Sequence, residues 1–147
     1  MKVTDEPVIV TQLFKCSKER LWKAITEYDK MLKWFFEEIP DFKAEVDFIT
    51  SFNVKAPSQD FYHLWEIIEV IPFKKIVYNW KYKDFKGDSN VTFNLLEKGH
   101  STLLILTTEI LEDFNDSIPE FTRDSCENGW KYFVQERLVS YLNSNND

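Results

Sequence analysis

Apolar and polar positions alternate with two different periods along this chain, and the changes of period divide it into elements. Residues 7–15 read as a strand, with Val8, Val10 and Phe14 on one face and Gln12 as the exception. Ser17 has the chemistry of a helix N-cap. Behind it Leu21, Trp22, Ala24, Ile25 and Tyr28 recur at helical spacing. Asp29 restarts a second short helix carrying Met31, Leu32, Trp34 and Phe35, and Pro40 closes the helical region. From Phe42 the period drops to two. Phe42, Ala44 and Val46 alternate with Lys43, Glu45 and Asp47, and Phe48, Phe52 and Val54 continue the pattern, which predicts a long β stretch. Residues 55–60 are a loop. Residues 61–71 form a strand with apolar residues on both faces, so its inward parity stays open.

After the turn Pro72-Phe73-Lys74, the residues Ile76, Tyr78, Trp80 and Tyr82 define a strand with an aromatic face. Lys86-Gly87-Asp88 turns the chain, and Val91, Phe93 and Leu95 share one face of the next strand. Lys98-Gly99-His100 turns it again into a Leu/Ile/Thr-rich strand over 101–111. Successive turns at this spacing predict an antiparallel meander. An acidic loop with Pro119 follows over 112–124. The last element is a helix from about Ser125 to Asn143, striped by Trp130, Phe133, Val134, Leu138, Tyr141 and Leu142. The predicted architecture is α+β: a curved antiparallel sheet of about six or seven strands wrapped around the long C-terminal helix, with two short helices after the first strand closing one end. Residues 1–147 read as one domain with its core at about 8–142.

Composition sharpens this picture. The 147 residues include thirteen Phe, six Tyr and five Trp against three Gly, so many large rings must fill a core, line a pocket or stack on a ligand. There is no run of 18 apolar residues, so no membrane span is expected. Met-Lys-Val-Thr-Asp-Glu-Pro carries no apolar stretch, so no signal peptide is expected. Cys16 and Cys126 are far apart in sequence and form no CxxC, which favours free thiols. A cytoplasmic protein follows by exclusion. The net charge is −7, and residues 112–147 carry eight acidic against three basic groups. Without a basic stripe, nucleic acid is disfavoured as a partner.

Catalytic chemistry finds little support. Two His and two Cys scattered along the chain make no metal set, and three separate glycines make no phosphate loop. His63 lies on a strand and His100 in a turn, each without a sequence-local partner. Glu66 and Glu69, three apart on one strand, are expected on opposite faces. Cys16 precedes a helix whose N-terminus could lower its pKa, but a small semi-buried thiol is the simpler reading. No catalytic residue, cofactor or metal is expected. The positive signal is aromatic: Phe52, Tyr78, Trp80, Phe93, Leu106, Trp130 and Phe133 are expected to converge between sheet and helix, with Trp34 and Phe35 at the mouth.

The chain resembles a START-like helix-grip domain of the heat-shock chaperone ATPase activator homologue type, grouped with calicheamicin-resistance-like proteins. The likeness is carried by Lys18-Glu19-Arg20-Leu21-Trp22-Lys23-Ala24-Ile25-Thr26, by Trp34-Phe35, and by Glu69-Val70-Ile71-Pro72 with Lys75-Ile76-Val77-Tyr78-Asn79-Trp80. Val91-Thr92-Phe93-Asn94-Leu95, Ser101-Thr102-Leu103-Leu104-Ile105-Leu106 and Gly129-Trp130 continue it in order. Relatives often have glycines where this chain has Asp47-Phe48 and Trp65. The resemblance implies a cavity between helix and sheet, narrowed here if Phe48 and Trp65 point inward. It implies, first, non-catalytic binding of a small hydrophobic or aromatic molecule, with Trp65 added to the ring set. Second, it implies a stress-response interaction module whose partner is a chaperone protein. A cyclase- or hydrolase-like pocket enzyme comes last, and would be favoured by a buried Glu69 or His63 that faces a cavity with a perturbed pKa. A gap of several hundred Å³ would favour the ligand, and a void no larger than a water would favour the interaction.

Overall fold

The computed structural model describes residues 1–144, so the last three residues of the expected 1–147 domain lie outside the described residues. Strand β1 (Val8–Phe14) leads into helices α1 (Lys18–Thr26) and α2 (Tyr28–Trp34). Strands β2 (Ile49–Lys55), β3 (Asp60–Ile71), β4 (Lys75–Tyr82), β5 (Asp88–Lys98) and β6 (Ser101–Glu112) follow. They form one antiparallel six-stranded sheet in the order β1-β6-β5-β4-β3-β2, a meander whose last strand pairs with the first. The expected β stretch at 42–46 is not a strand. Phe42 is buried, Val46 is exposed, and the segment is irregular up to Asp47, whose φ of 75° is left-handed. Alternation there marks a single inward ring rather than a ladder.

The open parity of β3 is settled by pairing. Phe61, His63, Trp65 and Ile67 point to the concave side with Tyr78 and Trp80 of β4. A bulge between Ile67 and Glu69 then inserts Ile68. One extra residue reverses the alternation, so Glu69 pairs with Val77 and shares the convex face with Glu66, contrary to the spacing argument. Glu69 is held there by Lys75 at 3.1 Å.

Ser17 caps α1, its Oγ accepting from the Arg20 N–H at 3.2 Å. The C-terminal helix starts two residues earlier than expected, capped by Thr122. It runs as α-helix over Arg123–Trp130, widens to π geometry over Lys131–Leu138 and returns to α over Val139–Ser144. The reason lies in the stripe. Trp130, Val134, Leu138 and Leu142, all buried, recur every four residues. At about 100° per residue, an α-helix would rotate such a row by about 40° per step. Wider turns remove that drift and keep the row against the sheet. Polar clamps hold the helix in place: Arg20 Nη2 donates to the Leu142 carbonyl at 2.7 Å, Arg137 Nη2 to Lys33 at 3.0 Å, and Gln135 Nε2 to Thr11 at 2.9 Å.

Two apolar clusters result. The larger fills the space between sheet, α1, α2 and the C-terminal helix. The smaller gathers Met1, Val8, Phe61, Phe114 and Phe121 under the β6–helix connection. No helix among the described residues is long and apolar enough to cross a membrane.

Candidate functional site

The centre of the larger cluster is a stack of rings. Phe35 lies parallel to Trp34 at 4.6 Å between ring centroids and contacts Trp65 at 5.5 Å, Trp80 at 6.3 Å, Trp130 at 5.7 Å and Phe133 at 5.0 Å. Trp34 and Phe35 are therefore at the heart of the core rather than at a mouth. The reason is a hydrogen bond: Trp34 Nε1 donates to the Ala24 carbonyl at 2.7 Å, which ties α2 inward against α1. Trp65 is 1% exposed, wedged edge-on against Phe52 at 4.8 Å and Tyr78 at 5.0 Å. Its Nε1 has no hydrogen-bond partner among the described residues, so the ring faces beside it are its only compensation. Phe48 is half-buried, edge-on to Phe42 at 5.8 Å.

Beside this stack, where the two clusters meet, lies a cavity of about 150 Å³ between the sheet and the C-terminal helix. Of the expected residues, Trp80, Trp130 and Phe133 line it. Trp34, Phe35, Phe52, Trp65, Tyr78, Phe93 and Leu106 are packed in the core and do not reach it. The structure adds Phe36, His63, Tyr82, Thr108, Phe121 and Cys126 to its wall. Parity could have found two of these: Tyr82 continues the Tyr78–Trp80 face, and His63 lies between Phe61 and Trp65. Phe121 ends a single 3-10 turn, Pro119–Phe121, too short for a period to betray it. Wider clefts exist: one of about 460 Å³ beside α1 is walled by charged Glu19, Arg20, Lys23 and Lys30, and one of about 510 Å³ lies outside the sheet–helix gap, between Ile71, Phe73, Leu95 and Leu96 and the charged Lys18, Lys74, Lys75 and Glu97.

His63, Tyr82 and Cys126 line the cavity as neutral groups, while Met1, whose ammonium pairs with Asp116, and Glu120, whose carboxylate accepts from Ser58, also border it. His63 is 5% exposed, boxed by Phe36, Phe52, Trp80 and Tyr82. Burial lowers its pKa from 6.5 to about 4, against a smaller opposing effect of the Phe61 carbonyl, so the ring is neutral at pH 7. Its Nδ1 lies 3.0 Å from that carbonyl oxygen, which can only accept, so Nδ1 carries the proton and Nε2 is an acceptor. Burial also pushes the Cys126 thiol up to about 11 and the Tyr82 hydroxyl above its usual range. Trp80 Nε1 donates to the Tyr82 hydroxyl at 3.0 Å. Thr108 Oγ1 is enclosed without a hydrogen bond, yet near enough to Cys126 to offset part of that thiol's shift. Cys16 is a free thiol, and burial raises its pKa more than nearby Arg20 lowers it. No cluster of three His, Cys, Asp or Glu among the described residues could hold a metal ion.

A six-stranded curved sheet gripping a long terminal helix, with a ring-lined void between them, is a START-like helix-grip architecture. The sequence places the chain further: residues 15–143 match the family described as Activator of Hsp90 ATPase homolog 1-like protein, and the chain belongs to that family. No curated protein matches the sequence. Among solved structures, CV1439 from Chromobacterium violaceum aligns with a TM-score of 0.77 at 19% identity, over 92% of this chain and 96% of its own. DynU16, from the dynemicin biosynthetic locus, gives 0.76 at 18% identity over 95% of this chain, which spans only 48% of DynU16. The Aha1 dimer from Colwellia psychrerythraea gives 0.69 at 17% identity over 97% of this chain and 100% of its own. At these identities the likeness is one of fold.

Proposed function

We propose that the protein is a cytoplasmic, non-catalytic binder of a small hydrophobic or aromatic molecule, held between sheet and C-terminal helix. The observation that carries this reading is the size and wall of the cavity. Its volume of about 150 Å³ falls below the several hundred of a drug-sized site but far above one water. A volume of about 150 Å³ is enough to take benzene. The rings of Trp80, Trp130 and Phe133 supply the dispersion contacts such a guest needs. The chemistry of the wall speaks against turnover, although His63 does face the cavity with a perturbed pKa. A Cys–His pair reacts as thiolate and imidazolium, whereas here burial raises the thiol and lowers the imidazole. Benzene, toluene and indole titrated against the protein are expected to quench or shift the emission of Trp80 and Trp130 saturably and to raise Tm. No saturable change with any of them would refute the reading.

A second reading, an interaction module acting on a chaperone ATPase, is favoured by the convex face of the sheet. There Leu13, Leu103 and Leu96 stand in register across β1, β6 and β5, with Leu13 and Leu96 about half exposed. Leu13→Lys with Leu96→Lys is expected to abolish stimulation of a purified Hsp90-type ATPase. No stimulation by the unmodified protein would remove this reading.

A further inference from the structure

The cavity wall is not uniformly apolar, and its polar atoms have unused bonding capacity in a fixed pattern. His63 Nε2 is an acceptor with no partner among the described residues, because the ring's proton is committed to the Phe61 carbonyl. Across the β3–β4 ladder His63 pairs with Tyr82, and their rings meet edge to face at 4.7 Å. The Tyr82 oxygen accepts from Trp80, which leaves its own hydroxyl proton undirected. A ring that carries a free acceptor and a ring that carries a free donor thus stand side by side within an aromatic box. Further along the same wall, the 4%-exposed Thr108 stands beside the Cys126 thiol. Buried polar atoms are normally satisfied, and unmet ones that line a void call for an occupant that satisfies them.

Resting on the ligand-binding reading above, we infer that the guest is a single-ring aromatic bearing a hydroxyl group, its O–H donating to His63 Nε2 and its oxygen accepting from Tyr82. A hydroxyl is the small group that donates and accepts at one atom, which is what this adjacent pair requires. A carboxylate only accepts and an ammonium only donates, so each would leave one of the two partners unmet, and the charged groups that border the cavity are already engaged, the Met1 ammonium with Asp116 and Glu120 with Ser58. Cavity volume limits the apolar part to about one ring. Phe36, Trp80 and Phe133 enclose it.

The test is calorimetric titration of the intact protein at pH 7 with p-cresol and with toluene, which differ only in the hydroxyl. The expected result is p-cresol binding roughly tenfold more tightly, since each neutral hydrogen bond contributes about a three- to tenfold gain. His63→Phe and Tyr82→Phe should each lower that preference at least threefold, read as the ratio of p-cresol to toluene affinity within the same variant. If one variant fails to fold, the other carries the comparison. Equal affinity of the wild-type protein for both probes overturns this inference and leaves hydrophobic binding standing. A preference that survives both substitutions also overturns it. Binding of neither probe overturns this inference together with the reading it rests on.

Discussion

Truncating Trp65 to alanine is expected to destabilise the protein by about 3 kcal/mol and to open a second, larger void. The indole is 1% exposed and stands in the middle of the ring stack, 4.8 Å from Trp80, 5.5 Å from Phe35 and edge-on to Phe52 and Tyr78. Burying about 150–250 Å² of such a side chain at about 25 cal/mol/Å² gives roughly 4–6 kcal/mol. Core truncations of this size cost about 3–5 kcal/mol. Against this, the substitution removes an indole N–H with no hydrogen-bond partner, a relief of about 1–3 kcal/mol reduced by the ring faces beside it. With a urea slope of about 2 kcal/mol/M, the midpoint should fall by roughly 1.5 M. Trp65→Phe keeps a ring and drops the N–H, so it should cost less than half as much. The void left by Trp65→Ala should accept indole and regain about 2.7 kcal/mol at a hundredfold excess over Kd. A cost below about 1 kcal/mol, or no rescue by indole, would refute the idea that this ring fills the centre of the core.

Acid should weaken the protein through His63. Its folded pKa of about 4 lies below the unfolded 6.5, so the unfolded state binds more protons between these values. The stability of the neutral ring is complete above about pH 6.5 and is lost as pH falls toward 4, by about 3 kcal/mol in all. The difference in unfolding free energy between wild type and His63→Phe, measured from pH 7 to 4, should shrink or reverse by that order; a constant difference would contradict it. Gly87 holds φ at 125°, and a Cβ there would overlap the Phe114 ring, so Gly87→Ala should cost more than about 1 kcal/mol by chemical denaturation. Ser17→Ala removes the cap on α1 and should cost about 1 kcal/mol in the same assay.

The fold was largely legible because its signals are local. Val91, Phe93 and Leu95 face inward as their alternation requires, and the turns at Gly87 and Gly99 fall where the chain reverses with positive φ. Three features were not legible, each because it depends on distant partners. Phe42 is drawn inward by stacking on Tyr78 at 5.7 Å, so its segment follows that ring instead of a ladder. The bulge at Ile68 moves Glu69 to the convex face, and the residue types around it give no sign of it. The π turns exist because the sheet requires a four-residue repeat from the helix. The site was legible in kind but displaced. Strand parity located the aromatic face, but it could not say which rings pack against each other and which border space. Trp34 and Phe35 left the mouth for the core once the Trp34 indole bonded to α1. Phe114 and Phe121, in a connection whose only regular piece is the 3-10 turn Pro119–Phe121, belong to the second cluster that bounds the void.

The central claim is that this void receives a ring. Protein-observed NMR titration with toluene, followed by intermolecular NOEs, tests it most directly. The account predicts saturable shifts and contacts at Trp80, Val91, Trp130 and Phe133, with none at Ile9, Leu13 or Leu96. Contacts on the convex face alone, or no saturable shift at the cavity residues, would contradict it.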